Sequence, residues 1–213
     1  MINQATFQVC SYISGVLEMD FYHRSHFSAV KHTSPLNQQE GYGRKVKASV
    51  VIPRQALQHL SVTAVKLKDF FDRCIECANT AGVNYVNVHA ANGISAIYLA
   101  CGQDMADISS SHVCRSRTEL LNYGQDLLWE IEIPNLLVAT VGGGTGLATQ
   151  RECLELMGCY GSGMANKFAE IVAATVLAGE FPTAAAVVNK TYIDAHNQHG
   201  RNPLREPSDK KAA

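Results

Sequence analysis

Apolar residues recur near the start of the chain at Ile2, Phe7, Val9, Cys10, Ile13 and Val16, a loosely helical spacing over residues 2–16. Residues 43–52, GRKVKASVVI, alternate polar and apolar and stop at Pro53, which reads as a strand. The run 61–78, rich in Ala, Val, Leu and Phe, predicts a helix. Residues 89–105, HAANGISAIYLACGQDM, are apolar nearly all round, so a helix buried on most sides is expected there. A β-rich run over 125–141 is interrupted at Pro134. Helices are then expected at 147–157, 164–179 and 182–196, with Gly179 and Pro182 marking a break between the last two. The end, NPLREPSDKKAA, is polar and proline-bearing and predicts a disordered tail. No internal repeat is visible. Helix, strands, helices, strands and a helical end in that order indicate an α+β fold rather than alternating βαβ units.

A length of 213 residues suits one domain of ordinary size, or one plus a fragment. With 46% apolar and 17% charged residues, the chain can bury a sizeable core. A net charge of -1 gives no electrostatic reason to expect nucleic acid or an anionic membrane as partner. No apolar run approaches the roughly 20 residues of a membrane span, and MINQATFQVC has no basic-then-apolar leader. The seven cysteines are odd in number and lack framework spacing, which suits a reducing, cytoplasmic setting. Cys74 and Cys77 form a CxxC inside FFDRCIECANTAG, a mid-helix context that favours small buried hydrophobes over a redox or zinc role. No metal-ligand set is expected.

Candidate chemistry starts at VATVGGGTGLATQRECLELMG, residues 138–158. Three glycines between a β-run and a helix suit either a tight turn or backbone that closely approaches a ligand. No Gly-Lys-Ser/Thr follows, and the Rossmann spacing is missing. Three ionisable residues stand out by position. Asp104, in ACGQDMA, is either a surface residue just past the apolar helix or a paired carboxylate within it. Lys31, in SAVKHTSP, reads by default as a solvated lysine. His196, in IDAHNQHGRNP, stands at a helix end, where it could simply interact with the helix dipole.

Four stretches taken in order resemble the hydroxymethylglutaryl-CoA (HMG-CoA) reductase family. They are EGYGRKVKASVVIP, NVHAANGISAIYLACGQDMA, ATVGGGTGLATQRECLELMG and AAAVVNKTYIDAH. The first looks like the strand after the loop between the family's small and large domains. The second is similar to its buried central helix. The third resembles its glycine signature, with Ala139 where a Gly is usual, and the fourth looks like its last helix, which ends in the catalytic histidine. The resemblance covers Met1 to about Arg201. It implies a remnant of the small nucleotide-binding domain over 1–28, the C-terminal part of the large catalytic domain over 29–204, and a tail over 205–213.

The resemblance also implies roles. Lys31 matches the lysine that stabilises the oxyanion formed when hydride reaches a thioester carbonyl, a task for a fixed cation. Asp104 matches the aspartate bonded to that lysine. His196 matches the histidine that protonates the departing CoA thiolate, chemistry suited to imidazole. Asn92 matches an asparagine contacting substrate and lysine, His32 stands where a substrate-binding lysine is usual, and Gly142, Gly143 and Gly144 let backbone approach substrate or cofactor. The implied reaction is NADPH-dependent reduction of HMG-CoA to mevalonate and CoA. The implied alternative is non-redox chemistry, or simple binding, on an acyl thioester with the retained Lys-Asp-His set. The family's nucleotide motif, like Asp-Ala-Met-Gly-Met-Asn, has no counterpart in the chain, and no residue matches its catalytic glutamate. The expected partners are therefore an acyl-CoA substrate and either a homo-oligomer or a complementary N-terminal chain.

Overall fold

The computed structural model describes residues 2–21 and 31–199. The chain divides into two compact units, Met1–Val30 and Lys31–Ala213. In the first, helix α1 (Ile2–Leu17) occupies the span its periodicity predicts, and Phe7 meets Phe21 at a ring-centroid distance of 5.6 Å. The tail expected after residue 201 lies outside the described residues.

The second unit is built on a three-stranded antiparallel sheet in the order β1-β3-β2, with β1 Arg44–Ile52, β2 Arg115–Leu121 and β3 Asp126–Leu136. Around it stand α2 (Pro35–Glu40), α3 (Arg54–His59), α4 (Ala64–Thr80), α5 (Ala90–Ala100), α6 (Ile108–Ser111), α7 (Ala148–Leu156), α8 (Ala165–Val188) and α9 (Tyr192–His199). This is the α+β arrangement that the order of elements implied.

The period-2 pattern of β3 explains its central place. Leu127, Trp129, Ile131 and Ile133 all point to the buried face. There Trp129 packs edge-on against Phe71 of α4 at 4.5 Å and against Phe181 of α8 at 6.2 Å. On the opposite face Glu132 meets Lys47 at 3.1 Å and Lys45 and Arg115 at 3.4 Å.

Pro134 does not interrupt the β-run. It sits at an irregularity where Arg44 pairs with Leu136 but Val46 pairs with Ile133, so two residues of β3 face Lys45 alone. A bulge of this kind removes the need for the N–H that proline lacks. The strand ends at Leu136, short of the expected 141.

The break expected at Gly179 and Pro182 is absent, because α8 runs through both for 24 residues. Proline forfeits only the bond to the Ala178 carbonyl and its ring is exposed, while Thr183 Oγ1 donates to Gly179 O at 2.7 Å. Gly179 serves packing instead, since a Cβ there would sit 2.0 Å from the His89 ring. Read whole, α8 is long and apolar enough to cross a membrane, contrary to the expectation that no run approaches that length. In the fold it is the core helix, burying Phe168, Val172, Val176 and Ala184 against the sheet and α5.

The helix expected over 89–105 also changes. It spans only 90–100 and buries one face, through Ala90, Gly93, Ile94 and Tyr98, while Asn92 and Leu99 face out. The most buried long helix is α8, not this one. Strand β2 and the short helices α2 and α3 carry no pattern that the sequence alone made evident. All seven cysteines are free thiols. Cys74 and Cys77 lie within α4 as their context predicts, but Cys77 is exposed and Cys74 only partly buried. The pair is not the buried hydrophobe expected, because Cys77 falls off the helix face that buries Leu67 and Phe71.

Candidate active site

Three of the four family-like stretches converge on one cleft of about 780 Å³ in the second unit. One wall is the 42–44 turn entering β1. The second is the end of α5 with the following segment to Asp107. The third is the chain leaving β3 together with the glycines at 142–144.

Each wall is held by a particular backbone lock. Asn135, buried in β3, accepts Gly43 N–H through Oδ1 at 2.7 Å, and a Cβ on Gly41 would lie 2.2 Å from the same oxygen. Gln103 acts as a short mock strand. Its Oε1 accepts Ala139 N–H at 2.7 Å, and its Nε2 donates to Ala139 O and Cys101 O, both at 2.9 Å. Beneath them a closed ring of bonds runs through Leu137 N–H, Ser111 Oγ, the Tyr98 hydroxyl and Leu137 O. Burial pushes the Tyr98 phenol well above its ordinary value.

The glycine run now has separate reasons for each residue. Gly144 packs backbone to backbone on Gly102, where a Cβ on Gly102 would come within 2.3 Å of Gly144 O. Gly142 has φ 83° and ψ 176°, a region open only to glycine. A Cβ built on Gly142 or Gly143 would meet nothing within 4 Å, so the backbone here faces open cleft. A flat ligand edge could lie directly on it.

Lys31 stands at the rim with φ 63°, a left-handed conformation uncommon for lysine. It is held there from both sides. His32 O accepts Asn37 Nδ2 at 3.3 Å and Ser110 Oγ at 3.2 Å, while the Thr33 hydroxyl donates to Ser109 O. Lys31 Nζ then meets Asp104 Oδ2 at 2.6 Å, and the other oxygen of Asp104 accepts Ala106 N–H at 2.9 Å. Asp104 is thus a paired carboxylate in the turn after α5 rather than a member of the helix. On the far wall Arg44 donates from Nε to Asn166 Oδ1 at 2.8 Å and from Nη1 to Val138 O at 3.4 Å, which leaves a second fixed cation lining the cleft.

Of the residues expected at a site, the structure joins Lys31, Asp104, Gly142, Gly143 and Gly144 around this cleft. Asn92, His32 and His196 are exposed and do not line it. His196 stacks on Tyr192 at 4.2 Å, and its Nδ1 donates to Tyr192 O at 2.9 Å, so Nε2 is the nitrogen left for other chemistry. Sequence reasoning missed Arg44, Gln103 and Asp107. Only the Gly-Tyr-Gly-Arg and Gly-Gln-Asp contexts could have flagged the first two.

The family model for hydroxymethylglutaryl-coenzyme A reductase matches residues 1–201. The chain belongs to this family. It is 34% identical to the 3-hydroxy-3-methylglutaryl-coenzyme A reductase of Methanocaldococcus jannaschii, across 94% of this chain and 51% of that protein. To the enzyme of the same name from Pyrococcus horikoshii it is 39% identical, across 76% of this chain and 40% of the relative. The Drosophila melanogaster reductase is 34% identical over 84% of this chain and 20% of its own length. The chain therefore spans about half, or less, of the reductases it matches. Family membership makes it part of an oxidoreductase family, and the three converging stretches are those that carried the resemblance.

Proposed function

We propose that this chain carries the lysine–aspartate part of an HMG-CoA reductase active site, acting in NADPH-dependent reduction of HMG-CoA to mevalonate and CoA. The observation that carries the reading is the 2.6 Å bond between Lys31 and Asp104 at the mouth of a cleft floored by bare glycine backbone. A thioester carbonyl seated beside Lys31 Nζ would develop negative charge on oxygen during reduction. A cation already fixed by Asp104 stabilises that charge without reorganising.

Asp104 acts on Lys31 by orientation. It takes one of the three ammonium protons and leaves two for the substrate oxygen and a neighbour. The resemblance assigns protonation of the leaving CoA thiolate to Nε2 of His196 on α9 and substrate contact to Asn92 and His32, three exposed residues outside the lining of this cleft. The nucleotide fits the cleft best at Gly142–Gly144, where its backbone approach meets no side chain, with Arg44 as counter-charge. When bound, it supplies the hydride.

The partner would be a second copy of this chain or a complementary chain equivalent to the N-terminal portion of the relatives. The rim supports this, because Leu99, Val141 and Leu147 are 67%, 60% and 61% exposed beside the cleft. The setting is cytoplasmic on this reading, consistent with seven free thiols.

The test is NADPH oxidation with HMG-CoA by the wild-type chain and by Lys31→Ala, alone and mixed with the N-terminal half of the Methanocaldococcus relative. Loss of one preorganised charge should lower the rate roughly 100- to 1,000-fold. An oxidation rate that ignores Lys31→Ala sinks the proposal. Release of free CoA thiol without NADPH consumption would favour the non-redox alternative.

A further inference from the structure

Gln103 lies between Gly102, which meets the glycine run, and Asp104, which binds Lys31, and neither the resemblance nor the comparisons give it a role. Its backbone N–H donates to Tyr98 O at 2.9 Å, so it is fixed to the last turn of α5. Its side chain reaches across to Ala139, with Oε1 accepting the N–H at 2.7 Å and Nε2 donating to the carbonyl at 2.9 Å. Nε2 also donates to Cys101 O at 2.9 Å, which fixes the plane of the amide.

These bonds are not needed to hold the end of β3. Two residues before Ala139, the N–H and the carbonyl of Leu137 are already taken by Ser111 and Tyr98. What Gln103 fixes lies beyond, in the stretch from Ala139 to Gly144. One end of it is tied by the Gln103 amide, and the other packs on Gly102, where a Cβ on Gly144 would come within 2.8 Å of Gly102 O. Between the two, Gly142 and Gly143 run at φ 83° and 56°, and a Cβ on either would meet nothing within 4 Å.

We propose that Gln103 is a positioning residue whose amide sets the spacing between the glycine floor of the cleft and the Lys31–Asp104 pair. This deepens the reductase reading and rests on it. Asp104 follows Gln103 directly, so the cation for the substrate oxygen and the backbone proposed for the nucleotide are both referred to one point, the end of α5. A floor released from that point could shift, and a misplacement of about 1 Å costs about 100-fold in rate. Only an amide serves here, because Ala139 presents a donor and an acceptor together. Methionine, of similar length, offers neither partner, and a carboxylate would set its second oxygen against the carbonyls of Ala139 and Cys101.

Two measurements on the full chain test this. The bonded amides that report on the floor are Ala139, Thr145, which donates to Gly142 O at 3.2 Å, and Gly161, which donates to Thr140 O at 3.0 Å. Their hydrogen exchange should be about tenfold faster in Gln103→Met than in wild type, with exchange in β3 and α8 unchanged. In Gln103→Glu it should be fast at neutral pH and return toward wild type as pH falls, because a protonated carboxyl donates to Ala139 O again. Asp104 and Asp107 on the same segment favour that protonation, while Lys31 and Arg44 oppose it. In the lysine-dependent assay, Gln103→Met should lower kcat about 100-fold, leave both KM values little changed and enlarge the isotope effect of deuterated NADPH. Unchanged exchange at the three amides, exchange that quickens equally in β3 and α8, or a wild-type kcat in Gln103→Met overturns the proposal. A folded wild-type chain without Lys31-dependent turnover, even with the N-terminal half of the Methanocaldococcus relative, sinks the reductase reading instead. Exchange that is still faster in Gln103→Met, and restored at low pH in Gln103→Glu, then upholds Gln103 as the residue that sets the floor.

Discussion

Gly102 and Gly142 border the same cleft but are required for different physical reasons, and substitutions should separate them. At Gly102 an added Cβ would lie 2.3 Å from Gly144 O at φ 66°, so both sterics and backbone conformation oppose it. At Gly142 only the conformation opposes it, since no atom lies within 4 Å. Gly142→Ala should therefore cost about 1–3 kcal/mol in chemical denaturation, and Gly102→Ala should cost more, because the glycine segment must also move away from α5. Equal losses for the two would refute this account. The Lys31–Asp104 pair should behave in the opposite manner. Its side chains are 34% and 50% exposed, so Asp104→Asn should change stability by less than about 1 kcal/mol. The same variant should lower the proposed lysine-dependent rate at least tenfold. A large stability loss would mean that the pair is structural.

At the scale of elements, the decisive contact joins α8 to α5. Glu180 is completely buried, and its carboxylate accepts the N–H groups of Val88, His89 and Ala90 at 2.7–3.1 Å. It serves as the N-terminal cap that the His89 side chain does not supply. Because α5 leads directly into Gly102, Gln103 and Asp104, this one side chain anchors the wall of the cleft to the core helix. Burial raises the Glu180 carboxyl above its ordinary value of 4.5, and the three amides only partly offset it. A carboxyl raised in the folded state is protonated in both states at low pH, and on raising the pH the unfolded chain ionises first. Its contribution is therefore full below about 4.5 and falls as pH rises through the folded value. Glu180→Gln should cost about 1–3 kcal/mol and flatten that part of the profile. A difference between wild type and variant that does not vary with pH, measured by urea denaturation across pH 4 to about 8, would contradict the raised value.

Periodicity foretold α1, β1, α4 and α7, and a clear terminus sharpens it at β1, which stops before Pro53, and at α4. At α4 this terminus is Thr63, whose hydroxyl accepts Lys66 N–H at 3.3 Å. It misread Pro134, Gly179 and Pro182, which are breakers in isolation, because a bulge, an aromatic ring and an exposed helix face absorb them.

For the whole molecule, the exposed apolar rim of the cleft is the main unmet demand. Leu99, Val141 and Leu147 stand around an opening lined by two carboxylates and an arginine. Light scattering should find the proposed self-association or, with the N-terminal half of a relative present, a mixed complex. Leu99→Glu with Leu147→Glu should weaken either one, since a desolvated carboxylate at a contact core is costly. A monomer that ignores the added half would remove the partner from the functional reading.

The amino-acid order by itself determined the α+β class, the family and the identity of Lys31, Asp104 and the glycine run as candidates. These depend on local spacing and ordered motifs, which survive in one dimension. Only the tertiary structure decided that three motifs separated by up to about a hundred residues share one cleft, and that Asn92 and His196 lie off its lining. It also decided that a buried glutamate on α8 anchors the cleft. Each of those depends on distances across elements, burial and the charges of neighbours remote in sequence. No local pattern encodes them.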